Sequence, residues 1–359
     1  MKALPDRIPL MSEDFAGRVL GWFDMHGRHD LPWQHPREPY RVWLSEIMLQ
    51  QTQVATVIPY FQRFLARFPD LRSLAEAPID DVLAHWAGLG YYARARNLHR
   101  CAQALMAQHG GEFPRSSAAV MALPGIGRST AGAILSQAFG DRHPILDGNV
   151  RRVFARHAAI SGWPGEPAVQ RQLWALAEAR LPTDRLADYS QGLMDLGATL
   201  CTSRRPACER CPVAADCQAR IQNTVTRYPA AKPRRERPRR RAHLLLLRNR
   251  AGELLLERRP PTGIWGGLWC PPLLAEELSP SDWVQSRQLR TDATTEMPVV
   301  HHAFTHFDLE LLPLEMQVSM DSGLADPGHW RWVETAGLHQ LGLPAPIAKL
   351  LKSRSPSRP

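Results

Sequence analysis

Four cysteines inside one short stretch, Cys201, Cys208, Cys211 and Cys217, constrain this chain more than any other feature of its sequence. The opening MKALPDRIPL has no continuous apolar region of the signal-peptide kind, and no segment approaches the ~20 apolar residues that span a bilayer. We therefore expect a cytoplasmic protein with no membrane partner, associated with the nucleoid if the chain is bacterial. In such a setting a local cysteine cluster more often binds metal than forms disulfides. The spacing is C-x6-C-x2-C-x5-C. Zinc sites usually combine two close Cys/His pairs, and only one C-x2-C occurs, so a cuboidal [4Fe–4S] cluster on four thiolates is favoured and zinc is the alternative. Arg204 and Arg205, between the ligands, make a basic loop suited either to a phosphate backbone or simply to solvent.

The rest of the chain falls into regions of different texture. At 359 residues, with 44% hydrophobic and 22% charged, it is long enough for two folded domains and too apolar for wholesale disorder. From about Ser12 to Ile221 apolar residues recur three or four apart, the period of helices, and strand-like alternation is nearly absent. Residues 1–222 are thus expected to form a mainly α domain. Residues 223–241 carry several prolines and a run of arginines, which suits an exposed basic linker. After it, His243–Leu247 and Glu253–Glu257 flank Arg248–Gly252 as a hairpin does, and strand-like runs recur near Phe304–Leu312 and Trp330–Val333. That places a separate α+β domain over 242–352, with a disordered tail over 353–359. The net charge of +9 favours a polyanionic partner such as nucleic acid, although a solvated surface gives the same sum.

Single motifs in the helical region each admit two readings. Leu123-Pro-Gly-Ile-Gly127 lies between apolar-periodic segments, with Ser129 in the first turn of the second. Two glycines and the positive end of a helix hold a phosphate without reading its base, as in a helix-hairpin-helix over about 120–140; an ordinary helix–helix turn has the same look. Glu46 has Val42, Trp43 and Leu49 as helical neighbours, which would desolvate its carboxyl and raise its pKa, yet a lone Glu on a helix is usually a surface residue. Asp147 looks equally like a helix N-cap. Spacing alone does not bring these two carboxylates together.

Taken in order, however, the stretches Leu31–Trp33, Trp43–Gln53, Gly88–Asn97, Leu123–Thr130 and Ile145–Val150, together with the cysteines, resemble the endonuclease III superfamily, and within it the MutY-type adenine DNA glycosylases. The resemblance covers nearly the whole chain. It implies a helix-hairpin-helix glycosylase domain with a [4Fe–4S] module. It also implies roles: Glu46 as the acid that protonates the adenine leaving group, Asp147 as the carboxylate facing the sugar cation, and Asn149 as its support. Trp33, Leu49 and Gln191 match the adenine pocket, and Gln50 and Tyr91 match residues near the gap and the opposing lesion. Leu123, Gly125, Gly127, Ser129, Arg204 and Arg205 would meet the DNA backbone. Ser129 stands where the endonuclease III branch carries a Schiff-base lysine, so the chain should be chiefly monofunctional.

The C-terminal region resembles the Nudix-like, MutT-related domain of the same family through Trp265–Trp269 and His302–Phe307. The Glu-rich metal box of true Nudix hydrolases is missing between them, which implies recognition without hydrolysis. The loop Phe304-Thr305-His306 matches a Phe-Ser-His loop that contacts 8-oxoguanine, with a methyl added to the hydroxyl residue. The function implied is base excision of adenine mispaired with 8-oxoguanine or guanine in double-stranded DNA, by a monomer. Two rivals stand beside it: an endonuclease III-like pyrimidine-lesion glycosylase with lyase activity, and a non-catalytic iron–sulfur protein that senses redox state on DNA.

Overall fold

The computed structural model describes residues 13–233, 236–320 and 329–353. Its first part is helical, as the 3.6-residue period requires. In chain order the helices are α1 (Glu13–His26), α2 (Pro39–Leu49), α3 (Val54–Arg67), α4 (Leu71–Glu76), α5 (Ile79–Trp86), α6 (Ala93–His109), α7 (Ser117–Ala122), α8 (Arg128–Phe139), α9 (Gly148–His157), α10 (Pro167–Ala179), α11 (Leu186–Thr199) and the single turn α12 (Gln218–Ile221). No strand occurs among the described residues before Arg239. Local signals set the boundaries. Pro39 occupies the first turn of α2, Ser116 caps α7 by accepting from the Ala119 amide at 3.1 Å, and Gly140 ends α8 in the left-handed conformation. Phe15, Val19 and Phe23 form an i, i+4 stripe on α1, and they bury with Val150, Val153 and Phe154 of α9 and Tyr189, Leu193 and Leu196 of α11.

From Arg239 onward the period changes to two. The strands are β1 (Arg239–Arg248), β2 (Leu254–Arg258), β3 (Trp269–Cys270), β4 (Leu273–Ala275), β5 (Leu289–Glu296), β6 (Val300–Ala303), β7 (Asp308–Met320) and β8 (Trp330–Val333), with helices α13 (Pro280–Gln285) and α14 (Ala345–Lys352). They make one mixed sheet whose central path runs β3-β2-β1-β7-β5. β1 and β2 are the expected antiparallel hairpin, Arg248 opposite Leu254, whereas β1 and β7 run parallel in register from Arg239–Asp308 to Arg248–Gln317. Leu244 to Leu247 are all fully buried because both faces of the sheet are covered: Leu244 and Leu246 pack with Leu254, Leu309 and Ile347, Leu245 and Leu247 with Leu255, Val284 and Val318.

Three expectations need adjusting. The linker expected over 223–241 ends earlier, because Arg239, Arg240 and Arg241 are already paired with Asp308, Leu309 and Glu310. The chain also divides differently from a break at 222. Met1–Leu65, Asp70–Arg72 and Arg100–Arg234 form one compact unit, and Ala66–Pro69, Ser73–His99 and Arg235–Pro359 form the other. Tertiary bonds override sequence proximity: Arg258 pairs with Asp80 at 2.9 Å, and Tyr92 donates to the Leu343 carbonyl at 3.0 Å. Of the expected tail, Ser353 closes α14 through a bond to the Lys349 carbonyl, and 354–359 lie outside the described residues.

Candidate active site and cluster loop

In the first unit one cleft gathers Trp33, Glu46, Leu49, Gln50, Ser129, Asp147, Asn149 and Gln191. These residues come from α2, α8, α11 and the segment entering α9, so no local pattern joins them. Trp33 is buried edge-on against Phe61, ring centroids 5.4 Å apart. Gln191 donates to Asp195 Oδ1 at 2.7 Å. Asp195 is wholly buried, and it also accepts from Arg28 Nε at 2.9 Å and the Arg28 amide at 2.7 Å. Arg28 lines the cleft as well. Sequence reasoning missed Arg28 and Asp195; the i, i+4 spacing of Gln191 and Asp195 was the one available signal.

The two carboxyls differ in their surroundings. Glu46 sits among Val42, Trp43 and Met48, all buried. Burial is the main cause that pushes its pKa up to about 8; the nearby Asp147 charge adds to it, and a bond from Gln137 Nε2 at 3.4 Å opposes it. Gln137 is a further residue that sequence reasoning missed. Asp147 is the N-cap of α9, accepting from the Val150 amide at 2.7 Å, so the cap reading and the site reading are both correct. Burial raises Asp147 too, but backbone bonds from Val150 and Asn149 and the charges of Arg152 and Arg151 favour its anion. Of a close pair that cannot both ionise cheaply, Asp147 is the one equipped to carry the charge and Glu46 the one to keep the proton.

Asn149 Nδ2 donates to Asp147 Oδ2 at 3.3 Å and its Oδ1 accepts from Arg152 at 2.8 Å. Arg152 in turn donates to the Cys201 carbonyl at 2.7 Å and the Gly197 carbonyl at 2.8 Å. α11 approaches this corner closely: a Cβ at Gly197 would stand 2.5 Å from Asn149 Cβ, which only glycine avoids. Ser129, in the same cleft, accepts the Leu146 amide at 3.0 Å. Leu123 caps the end of α7 and is buried, Gly125 turns with φ 79°, and Gly127 is the N-cap of α8. These three form the turn of a helix-hairpin-helix and lie outside the residues lining the cleft.

Cys201, Cys208, Cys211 and Cys217 ring one small cavity with Val153, Leu200 and Val213. None is in a disulfide. Among the described residues no three His, Cys, Asp or Glu converge as ligands of a single metal ion, so the ring fits a polynuclear group better than zinc. Buried Arg156 supplies a compensating cation, donating to Cys201 Sγ at 3.3 Å and to the Thr202 and Ser203 carbonyls at 2.7 and 3.0 Å. Arg204 and Arg205 are exposed on the same loop.

Tyr91 and Phe304–His306 belong to the other unit. Phe304 stacks on Phe307, centroids 4.6 Å apart, while Thr305 and His306 are exposed, with Thr305 Oγ1 3.3 Å from His306 Nδ1. The segment is therefore a turn between β6 and β7, not the strand suggested for Phe304–Leu312, and β7 begins only at Asp308.

Comparison with known proteins agrees with this geometry. Residues 44–179 match the HhH-GPD superfamily base excision DNA repair proteins, 201–217 the iron–sulfur binding domain of endonuclease III, and 243–353 the NUDIX domain. A [4Fe–4S] cluster is accordingly the cofactor of the cysteine ring. The adenine DNA glycosylase of Buchnera aphidicola from Acyrthosiphon pisum is 36% identical over 340 residues, covering 94% of this chain and 97% of its own. The human adenine DNA glycosylase is 34% identical, covering 94% of this chain and 73% of its own. Among solved structures, a thermostable thymine-DNA glycosylase superposes with a TM-score of 0.52 at 28% identity, over 58% of this chain and 95% of its own. With such similarity along both units, the chain belongs to the adenine DNA glycosylase family.

Proposed function

We propose that this glycosylase excises adenine paired opposite 8-oxoguanine or guanine in double-stranded DNA, as a monomer and without a lyase step. The observation that supports the reading best is the pair of carboxyls in one cleft with opposite protonation tendencies, Glu46 pushed up to about 8 and Asp147 capped by amides. The target adenine leaves the stack and enters the cleft beside Trp33, Leu49 and Gln191. Glu46 delivers its proton to the purine, which turns adenine into a better leaving group. Asp147, held by Asn149 and the α9 amides, faces the positive charge that develops on the sugar and stabilises or captures it. Ser129 has no amine, so no Schiff base forms at that position. Cys201, Cys208, Cys211 and Cys217 hold the cluster, which when bound cross-links the loop carrying Arg204 and Arg205. That loop, together with Leu123–Gly127 and Ser129, meets the DNA backbone.

Gln50 and Tyr91 stand at the gap and beside the opposing base, and Phe304, Thr305 and His306 read the edge of 8-oxoguanine. Single-turnover incubation with duplexes bearing adenine opposite 8-oxoguanine, adenine opposite guanine, and oxidised pyrimidines tests the reading. Excision of adenine fastest opposite 8-oxoguanine supports it; release of oxidised pyrimidines with strand cleavage overturns it in favour of the endonuclease III-like rival.

A further inference from the structure

Tyr91 sits on the turn between α5 and α6, 48% exposed and in the left-handed conformation with φ 48°, which costs a non-glycine residue free energy unless its surroundings hold it there. Those surroundings are specific. Trp86 Nε1 donates to the Gly90 carbonyl at 3.2 Å. Buried Arg94 donates to the Leu89 and Gly90 carbonyls at 3.1 and 3.2 Å and lies over the Tyr91 ring. These bonds shape the turn but do not fix where it points. That is done by the next residues. Tyr92, buried, donates to the carbonyl of Leu343, 251 residues away, at 3.0 Å, and Arg96 donates to the Gly266 carbonyl. Gly266 follows Trp265, whose ring packs 5.8 Å from Phe304 and 5.9 Å from His302, centroid to centroid. A continuous line of bonded and packed groups thus runs from the turn of Tyr91 to the loop of Phe304–His306.

We infer that Tyr92 and Arg96 are positioning residues for recognition of the base opposite adenine: they fasten the Tyr91 turn to the segments that carry the Phe304–His306 loop, so that both act as one reader. The inference rests on the proposed roles of Tyr91 and that loop. It assigns neither residue a part in the bond-breaking step.

The test uses the full-length, cluster-containing protein and the variants Tyr92→Phe, Arg96→Met and Tyr91→Ala. Tyr92→Phe keeps the ring that fills the buried site and removes only the hydroxyl. Single-turnover excision is measured against enzyme concentration opposite 8-oxoguanine and opposite guanine, to separate half-saturation from maximal rate. A 2-aminopurine beside the 8-oxoguanine reports local unstacking by its fluorescence. Tyr92→Phe and Arg96→Met should each lose at least fivefold of the preference for 8-oxoguanine through half-saturation, keep the maximal rate opposite guanine within twofold, and blunt the fluorescence change. Preference within twofold of the parent with unchanged fluorescence overturns the clamp. Equal losses on both duplexes also overturn it, since they denote mere support of the fold. If Tyr91→Ala itself keeps full preference, the role given to Tyr91 fails and the clamp with it; if Tyr91→Ala loses preference and Tyr92→Phe does not, the clamp alone fails.

Discussion

Glu46 carries its proton at neutral pH because its carboxyl is buried beside Asp147, and this has two measurable consequences. Above pH about 8 the protonated fraction falls tenfold per unit, so single-turnover excision should decline with that slope on the alkaline side. Glu46→Gln and Asp147→Asn should each slow excision by about 10²–10⁴-fold while duplex affinity, which comes mainly from phosphate contacts, stays nearly intact. Either variant excising at the parental rate would remove its residue from the site. The same burial costs stability, and the sign follows from linkage. The folded carboxyl ionises near 8 and the unfolded one near 4.5, so between these values the folded state holds more protons and loses stability as pH rises. Glu46→Gln has no such loss. Its thermal midpoint should match the parent near pH 4.5 and exceed it by a few degrees near pH 8, which thermal unfolding at the two pH values checks.

At the scale of elements, the helices, the β1–β2 hairpin and β8 were legible because each repeats its own period over enough residues to be read locally. The cysteine ring was legible because its ligands lie within one loop. The pairing of Glu46 with Asp147 was not, since α2 and the cap of α9 are 101 positions apart, and only the family motifs suggested that they meet. Gln137, Arg28 and Asp195 escaped notice for the same reason: a buried Gln or Asp on a helix carries no signal until its partner is known. Likewise β7 was seen only in its first residues, because a strand covered on both faces loses its alternation. Close packing of α11 on α9 gives an element-scale prediction. Gly197→Ala must push Asn149 and the Arg152 bonds aside, so it should lower the excision rate at least tenfold while the visible absorption of the cluster persists. Cys208→Ser should do the reverse: iron and sulfide are lost, and DNA binding weakens more than the rate of the bound complex. Full retention of iron in that variant would strike Cys208 from the ligand set.

For the whole molecule, the division of labour is between a cleft that handles one extruded base and a unit that reads its former partner. Deleting everything after residue 233 is a blunt probe, because Tyr92, Arg96 and Asp80 would lose the bonds they make to Leu343, Gly266 and Arg258; such a chain should show a lowered midpoint along with lost preference. Thr305 and His306 offer a cleaner one. Both are exposed on a turn whose backbone is set by the stacked Phe304 and Phe307, so replacing both with Ala removes polar groups and leaves the turn standing. If they bond to the edge of 8-oxoguanine, each lost contact leaves a partner group unpaired, at about 1–3 kcal/mol. Preference for 8-oxoguanine over guanine should then contract by about 5- to 150-fold, with the loss falling on the 8-oxoguanine duplex. Single-turnover excision on both duplexes, with the thermal midpoint as a control, decides the matter. Loss on both with a lowered midpoint would mean that the turn had collapsed, and undiminished preference would mean that the lesion is read elsewhere.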